Sequence, residues 1–269
     1  QQRFSLKVAE QSYGPNSIEI LPTLVRLGSY FASRGNTIPV VAPTELRLLR
    51  NILFRDSINL YLRAIEITEL NYGVNDLRLL TPLRGLASAR MLEITQRRNA
   101  KVALVRSLEI VDSNLNSDLT DRAQAMVDLG DFYIITSDKQ AQEIYLNAWA
   151  ILQETPETQR LAASLFGSPV RLYPRDSPFL YLDRTPDGHT TGDELFANLQ
   201  FDVLPNGHVQ AIEIIDNNVP NKGIRLVRQI LRASRYRPRI HNGELVSTEA
   251  LQKRQLFAVL YNKPLPDDK

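Results

Sequence analysis

From about residue 17 to residue 166, apolar side chains recur every three or four positions, and Gly and Pro gather between the periodic stretches. This spacing predicts a run of amphipathic helices. The last of them opens with Thr155 as its N-cap and Pro156 at the first helical position. Gly167-Ser168-Pro169, Pro174 and Pro178 then end the helical pattern and predict a linker over 167–178, because proline fixes φ and lacks a backbone donor. Beyond it the period falls to two. Leu199, Phe201 and Val203 alternate with Gln200 and Asp202, as in a half-buried strand. Leu204-Pro205-Asn206-Gly207-His208 reads as a hairpin turn, since Asn-Gly accepts positive φ. A second strand follows through Ile212 and Ile214, then a helix over 221–234 and a short strand over 235–240. His241-Asn242-Gly243-Glu244 is another turn, and Gln255 to Tyr261 a final strand.

The predicted architecture is therefore multidomain: an all-α domain over 1–166, a linker over 167–178 and a small α+β domain over 179–269. Length agrees, since 269 residues suit about two domains. With 43% apolar and 23% charged residues the chain has the composition of an ordinary globular protein. No apolar run reaches the roughly 18–20 residues of a membrane helix. A formal charge of +2 gives no overall argument for nucleic acid. There is no cysteine, which excludes disulfides, thiolate nucleophiles and Cys-ligated zinc. The sequence starts Gln1-Gln2 with no initiator Met, a start compatible with a cleaved signal peptide or with an upstream segment carrying a membrane anchor.

The helical half repeats itself. Leu24-x2-Leu27-Gly28-x2-Phe31 and Met126-x2-Leu129-Gly130-x2-Tyr133 share one pattern, with Leu83-x2-Leu86-Ala87-x2-Arg90 a weaker copy. Interleaved with these, Ser57-x3-Tyr61-x2-Ala64 and Ala141-x3-Tyr145-x2-Ala148 share a second, and Ala100-x3-Leu104-x2-Ser107 is its degenerate copy. A small residue in the first helix lets the second approach closely, and the aromatic fills the space between helix pairs. These six segments resemble tetratricopeptide repeats. Second-helix patterns start at 57, 100 and 141, a spacing similar to the longer, kinesin-light-chain type, and Tyr13-Gly14-Pro15 and Tyr72-Gly73 resemble the same subclass. The first repeat departs from it through an insertion over 35–56, whose segment Pro39 to Leu53 is expected to be partly helical. The resemblance implies a solenoid whose first helices line a peptide-binding groove, with Arg26, Ser29, Arg84, Ser88, Asp128 and Asp131 facing it. The alternative is that the groove packs on the second domain and binds nothing.

In the second half, Leu199 to Val209 is similar to the paired strands of the TonB C-terminal domain, and Ile224 to Ser234 lies where that family has its helix. Arg235-Tyr236-Arg237-Pro238, Asn242 to Val246, Arg254 to Phe257 and the upstream Tyr173-Pro174 extend the resemblance over about 170–262. It implies a periplasmic domain of Gram-negative envelopes, with TonB-dependent transporters among its partners. A repeat solenoid in place of a membrane helix and long spacer implies an adaptor and not an energy transducer.

Two surfaces stand out from the residues themselves. Leu256 to Leu260 is apolar throughout, so the final strand reads as an edge that accepts a foreign strand, Gln255, Phe257, Val259 and Tyr261 forming one face. An internal strand, or one paired in a homodimer, are the alternatives. Between Asn217 and Gly243 stand seven basic residues and no acidic one, and Arg225, Arg228, Arg232 and Arg235 follow one helical face. That face reads either as solvated surface or as a footprint for an anionic partner such as peptidoglycan or lipopolysaccharide. Catalytic signals are lacking. His189, His208 and His241 have no metal-ligand spacing, no nucleophile elbow or phosphate loop occurs, and Asp193-Glu194 would point to opposite faces of a strand. The expectation is a non-enzymatic periplasmic adaptor that binds protein or peptide partners, without cofactor, metal or nucleic acid.

Overall fold

The computed structural model describes residues 2–38, 44–115, 117–173, 179–182, 186 and 193–259. Among these are nine α-helices: α1 (Gln2–Tyr13), α2 (Leu21–Asn36), α3 (Thr44–Tyr72), α4 (Leu80–Leu92), α5 (Arg97–Ser113), α6 (Leu119–Thr136), α7 (Gln140–Ile151), α8 (Pro156–Phe166) and α9 (Asn221–Ala233). Eight strands follow α8: β1 (Val170–Tyr173), β2 (Phe179–Leu182), β3 (Leu195–Val203), β4 (Val209–Asn217), β5 (Arg235–Arg237), β6 (Arg239–His241), β7 (Glu244–Val246) and β8 (Thr248–Val259), with α9 between β4 and β5. The chain is thus all-α in its N-terminal part and α+β in its C-terminal part. It divides into two compact units, residues 1–133 with 143–159, and 134–142 with 160–269.

In the helical unit, the repeated sequence positions are the buried ones. Leu24, Leu27, Phe31, Ser57, Tyr61 and Ala64 are buried, as are Leu83, Leu86, Ala87, Ala100, Leu104 and Ser107. Tyr61 shows why the small residues are needed. A Cβ on Gly28 would stand 3.0 Å from the Tyr61 ring, and one on Gly85 in α4 would overlap it. One aromatic ring therefore fits between two glycines on different helix pairs. Gly130 makes the same allowance for Tyr145. Ser57 Oγ donates to the Gly28 carbonyl at 2.7 Å, so the small polar residue of the second helix is also satisfied at this close approach. Chain ends repeat as well. Gly14 and Gly73 take φ of +91° and +94° after α1 and α3, and each N–H donates at 2.9 Å to the carbonyl four residues back. That is the left-handed helix stop for which glycine is suited.

The sheet of the second unit runs β2-β8-β3-β4. Central β3 is antiparallel to both β4 and β8, and its burial alternates residue by residue. Leu195, Ala197, Leu199, Phe201 and Val203 form its inner face, packed with Val227 and Leu231 of α9. The hairpin turn places Gly207 at φ +74°, and its carbonyl accepts from Tyr236 N–H at 2.9 Å, tying the turn to β5.

Several expectations need correction. Helix begins at Gln2, not near residue 17. Leu6 and Ala9 of α1 pack at the edge of a core cluster, and no described residue of α1 is buried. The insertion of the first repeat, expected to be partly helical, is helical from residue 44 onward, as the start of the 29-residue α3. Residues 39–43 of that insertion lie outside the described residues. The segment 167–178 is not all linker, because β1 pairs with β5 through Val170↔Arg237 and Arg171↔Tyr236. The final strand begins at Thr248, seven residues early. Thr248 to Gln255 is polar on both faces apart from Ala250 and Leu251, so alternation is invisible, and pairing with β3 makes it a strand.

Candidate functional site

The face predicted to bind peptides lies on α2, α4 and α6. Arg26 and Ser29 are exposed on α2, and Arg84 is exposed on α4 with Ser88 half-buried beside it. Asp128 and Asp131 are half-buried on α6. An ion pair joins two of these helices: Arg84 Nε donates to Asp128 Oδ2 at 2.5 Å. Asp128 Oδ1 accepts from Gln124 Nε2 at 2.9 Å. Burial raises the Asp128 carboxyl above the ordinary carboxylate range, with Asp131 adding to the rise, while Arg84 and the Gln124 bond oppose it. Asp121 is raised as well, by burial first and then by Asp118.

The buried tyrosines link the repeat core to this face. Tyr145 O–H donates to Asp131 Oδ1 at 2.7 Å, and the Tyr61 hydroxyl is hydrogen-bonded to Ser29. Ser29 and Asp131 each follow the glycine that makes room for the ring, Gly28 and Gly130. The same spacing that packs the tyrosine therefore fixes the next side chain on the polar face. Burial raises the Tyr61 hydroxyl pKa, and the Ser29 bond acts against this. Sequence reasoning named the six residues of this candidate face but not Gln124 or Asp121. The four-residue step from Gln124 to Asp128 was the available signal.

The strand-acceptor expectation fails at its centre. β2 lies parallel to β8, pairing Phe179↔Leu256, Leu180↔Phe257, Tyr181↔Ala258 and Leu182↔Val259, while β3 pairs on the other side from Thr248 to Phe257. Residues 256–257 thus have neighbours on both sides, and the β8 edge from Leu256 to Val259 that was expected to be free is occupied by β2. Gln255 and Phe257 are buried, with Phe257 in the core between sheet and α9. Tyr261 lies outside the described residues. The physical reason is the apolar run itself. A strand with apolar groups on both faces gains most from an interior position, and Phe179 to Leu182 supplies the apolar neighbour. Among the described residues β4 is an outer strand of this sheet, and its two register shifts and the positive φ of Ala211 interrupt a regular edge.

Of the four arginines placed on one helical face, three keep it. Arg225, Arg228 and Arg232 are exposed on α9, and their side chains have no hydrogen bond or ion pair among the described residues. Arg235 departs from the expectation because α9 ends at Ala233 and Arg235 opens β5. Its Nη1 donates to the Ser234 carbonyl at 2.9 Å and to the Arg232 carbonyl at 3.4 Å, so its charge sits at the negative end of the helix. His208 lies near enough to Arg235 that the guanidinium, after burial, lowers the imidazole pKa.

His241 is exposed, and His189 lies outside the described residues. Glu194 is ion-paired with Arg254. Among the described residues no group of three or more His, Asp or Glu is placed to hold a metal, and no helix is long and apolar enough to cross a membrane. By fold the chain is an all-α part followed by a small α+β part. It matches no known family model and no curated protein sequence.

Proposed function

We propose that this chain is a non-catalytic binding adaptor whose helical face on α2, α4 and α6 takes up a peptide segment of a protein partner. The observation that carries the reading is the Arg84–Asp128 pair, which holds neighbouring first helices in one polar surface. That surface is basic at Arg26 and Arg84 and acidic at Asp121, Asp128 and Asp131, so a peptide with both charge signs suits it. The likeness of the six helical segments to tetratricopeptide repeats supports peptide binding. The likeness of the C-terminal half to the TonB C-terminal domain supports a periplasmic setting and an envelope partner such as a TonB-dependent transporter. Selection of displayed peptides on the full chain tests this. Enriched peptides should bind the Arg26→Glu/Ser29→Lys variant at least about tenfold more weakly, because both exposed positions change charge. Equal binding to a folded variant overturns the reading.

A second reading rests on Arg225, Arg228 and Arg232, three exposed cations without acidic partners among the described residues. They suit an anionic envelope polymer, peptidoglycan or lipopolysaccharide. Binding of such a polymer should weaken steeply between low and moderate salt and vanish in the triple Arg→Glu variant. Peptide capture at the helical face should be untouched by that variant.

A further inference from the structure

None of the first nine residues of α3 is buried. Helix α2 is 16 residues long and α3 is 29, a difference of about 20 Å at 1.5 Å per residue. The buried positions of α3 begin with Leu53, clustered with Leu27 and Phe31, and Phe54, which lies against Gly35. Before that point, residues 44–52 are exposed except for the half-buried Arg50. This stretch is nevertheless rich in large apolar side chains: Leu46 is 44% exposed, Leu48 58%, Leu49 43% and Ile52 42%. Most helical stability in proteins comes from packing of an apolar face, and one left in water gives none.

The charges beside these residues indicate what covers them. Glu45, Leu48, Ile52 and Arg55 follow one another at steps of three, four and three, which places them on one stripe of the helix. The stripe lies opposite the buried Leu53, Phe54, Ser57 and Ile58. It is self-complementary. If a second α3 is laid antiparallel about a two-fold axis at residue 50, Leu48 faces Ile52 of the other copy and Glu45 faces Arg55. Symmetry repeats both contacts, so two apolar contacts are flanked by two ion pairs, as an isologous interface requires. Glu45 and Arg55 are both exposed, and neither has an ion pair among the described residues.

We infer that the N-terminal part of α3 is a homodimer interface, in which two copies of this chain pair antiparallel through Glu45, Leu48, Ile52 and Arg55. Each α3 covers the exposed Leu48 and Ile52 side chains of the other. The inference does not depend on the peptide-binding reading, because its face is neither the α2–α4–α6 surface nor any part of the sheet.

Sedimentation equilibrium of the full chain over a wide concentration range tests it. A monomer–dimer equilibrium is expected, and Leu48→Asp should abolish the dimer while leaving the circular dichroism spectrum unchanged. Glu45→Arg or Arg55→Glu alone should weaken the dimer about tenfold or more, since each puts two like-charge pairs in the interface. The combined Glu45→Arg/Arg55→Glu variant should recover most of that loss, a rescue that a merely structural role would not produce. A chain that stays monomeric at several hundred micromolar, or a dimer indifferent to these substitutions, overturns the inference. So does a monomer that binds phosphatidylglycerol vesicles through Leu48, which would assign the apolar stripe to a lipid surface.

Discussion

The helical unit and the sheet unit solve the same problem, the burial of apolar faces, over different distances in the chain. In the helical unit a ring such as Tyr61 meets Gly28 and Gly85, 33 and 24 residues away, and its own helix sets which residues face inward. In the sheet unit β2 and β8 pair across 77 positions, Phe179 with Leu256, and β8 also needs β3 to exist as a strand. The difference teaches where a local pattern suffices. A helix carries its backbone hydrogen bonds within itself, so its period survives in the sequence. A strand takes its bonds from elsewhere, and its place in the sheet is not written in its own residues.

Four substitutions break or sharpen this comparison. The largest effect is expected from Tyr61→Ala, which empties the space between two helix pairs at once. It should cost about 3–5 kcal/mol in urea unfolding, and a cost under about 1 kcal/mol would show that the repeats do not depend on the shared ring. Leu182→Ala removes the buried end of β2 and should cost about 2–4 kcal/mol. Hydrogen exchange should then quicken at Leu256 to Val259 if β2 holds its place through this core contact, and unchanged exchange there would contradict that pairing. Gly130→Ala puts a methyl group into the Tyr145 ring, so an overpacking cost of about 1–3 kcal/mol is expected in thermal melting. Full stability would mean that the ring can move aside.

The smallest effect concerns Asp128. Its folded carboxyl titrates above the unfolded value because burial outweighs the Arg84 pair, so the folded state holds this proton more tightly. Its contribution to stability is therefore greatest below the unfolded pKa and declines as pH rises through the interval up to the folded pKa. Asp128→Asn should flatten that part of the pH–stability profile. A variant whose profile falls as steeply as the parent's would place the titration elsewhere.

The positions of the candidate-face residues on their helices were legible because they share the helical period. Ser29 and Asp131 stand one residue after Gly28 and Gly130, and the glycines are found by the packing pattern. The Arg84–Asp128 pair was not legible as a pair, since the two residues are 44 positions apart and meet only when α4 and α6 become neighbours. The edge at β8 was misread for a related reason. Apolar residues on both faces of Leu256 to Leu260 show that the strand is valuable to bury but not what lies beside it. Arg235 was assigned to the helical face because its spacing continues the helix, yet the chain turns at Ser234 and uses the guanidinium on the helix end instead.

The sequence by itself determined the two fold classes in order, the inward positions of the helix pairs, and the alternating inner face of β3. These rest on periods of 3.6 and two residues, which depend only on backbone geometry. The tertiary structure alone decided that β2 covers β8, that part of the supposed linker is a strand, and that the start of α3 keeps apolar groups in water. Each depends on which segments become neighbours in space, and short-range spacing holds no record of that.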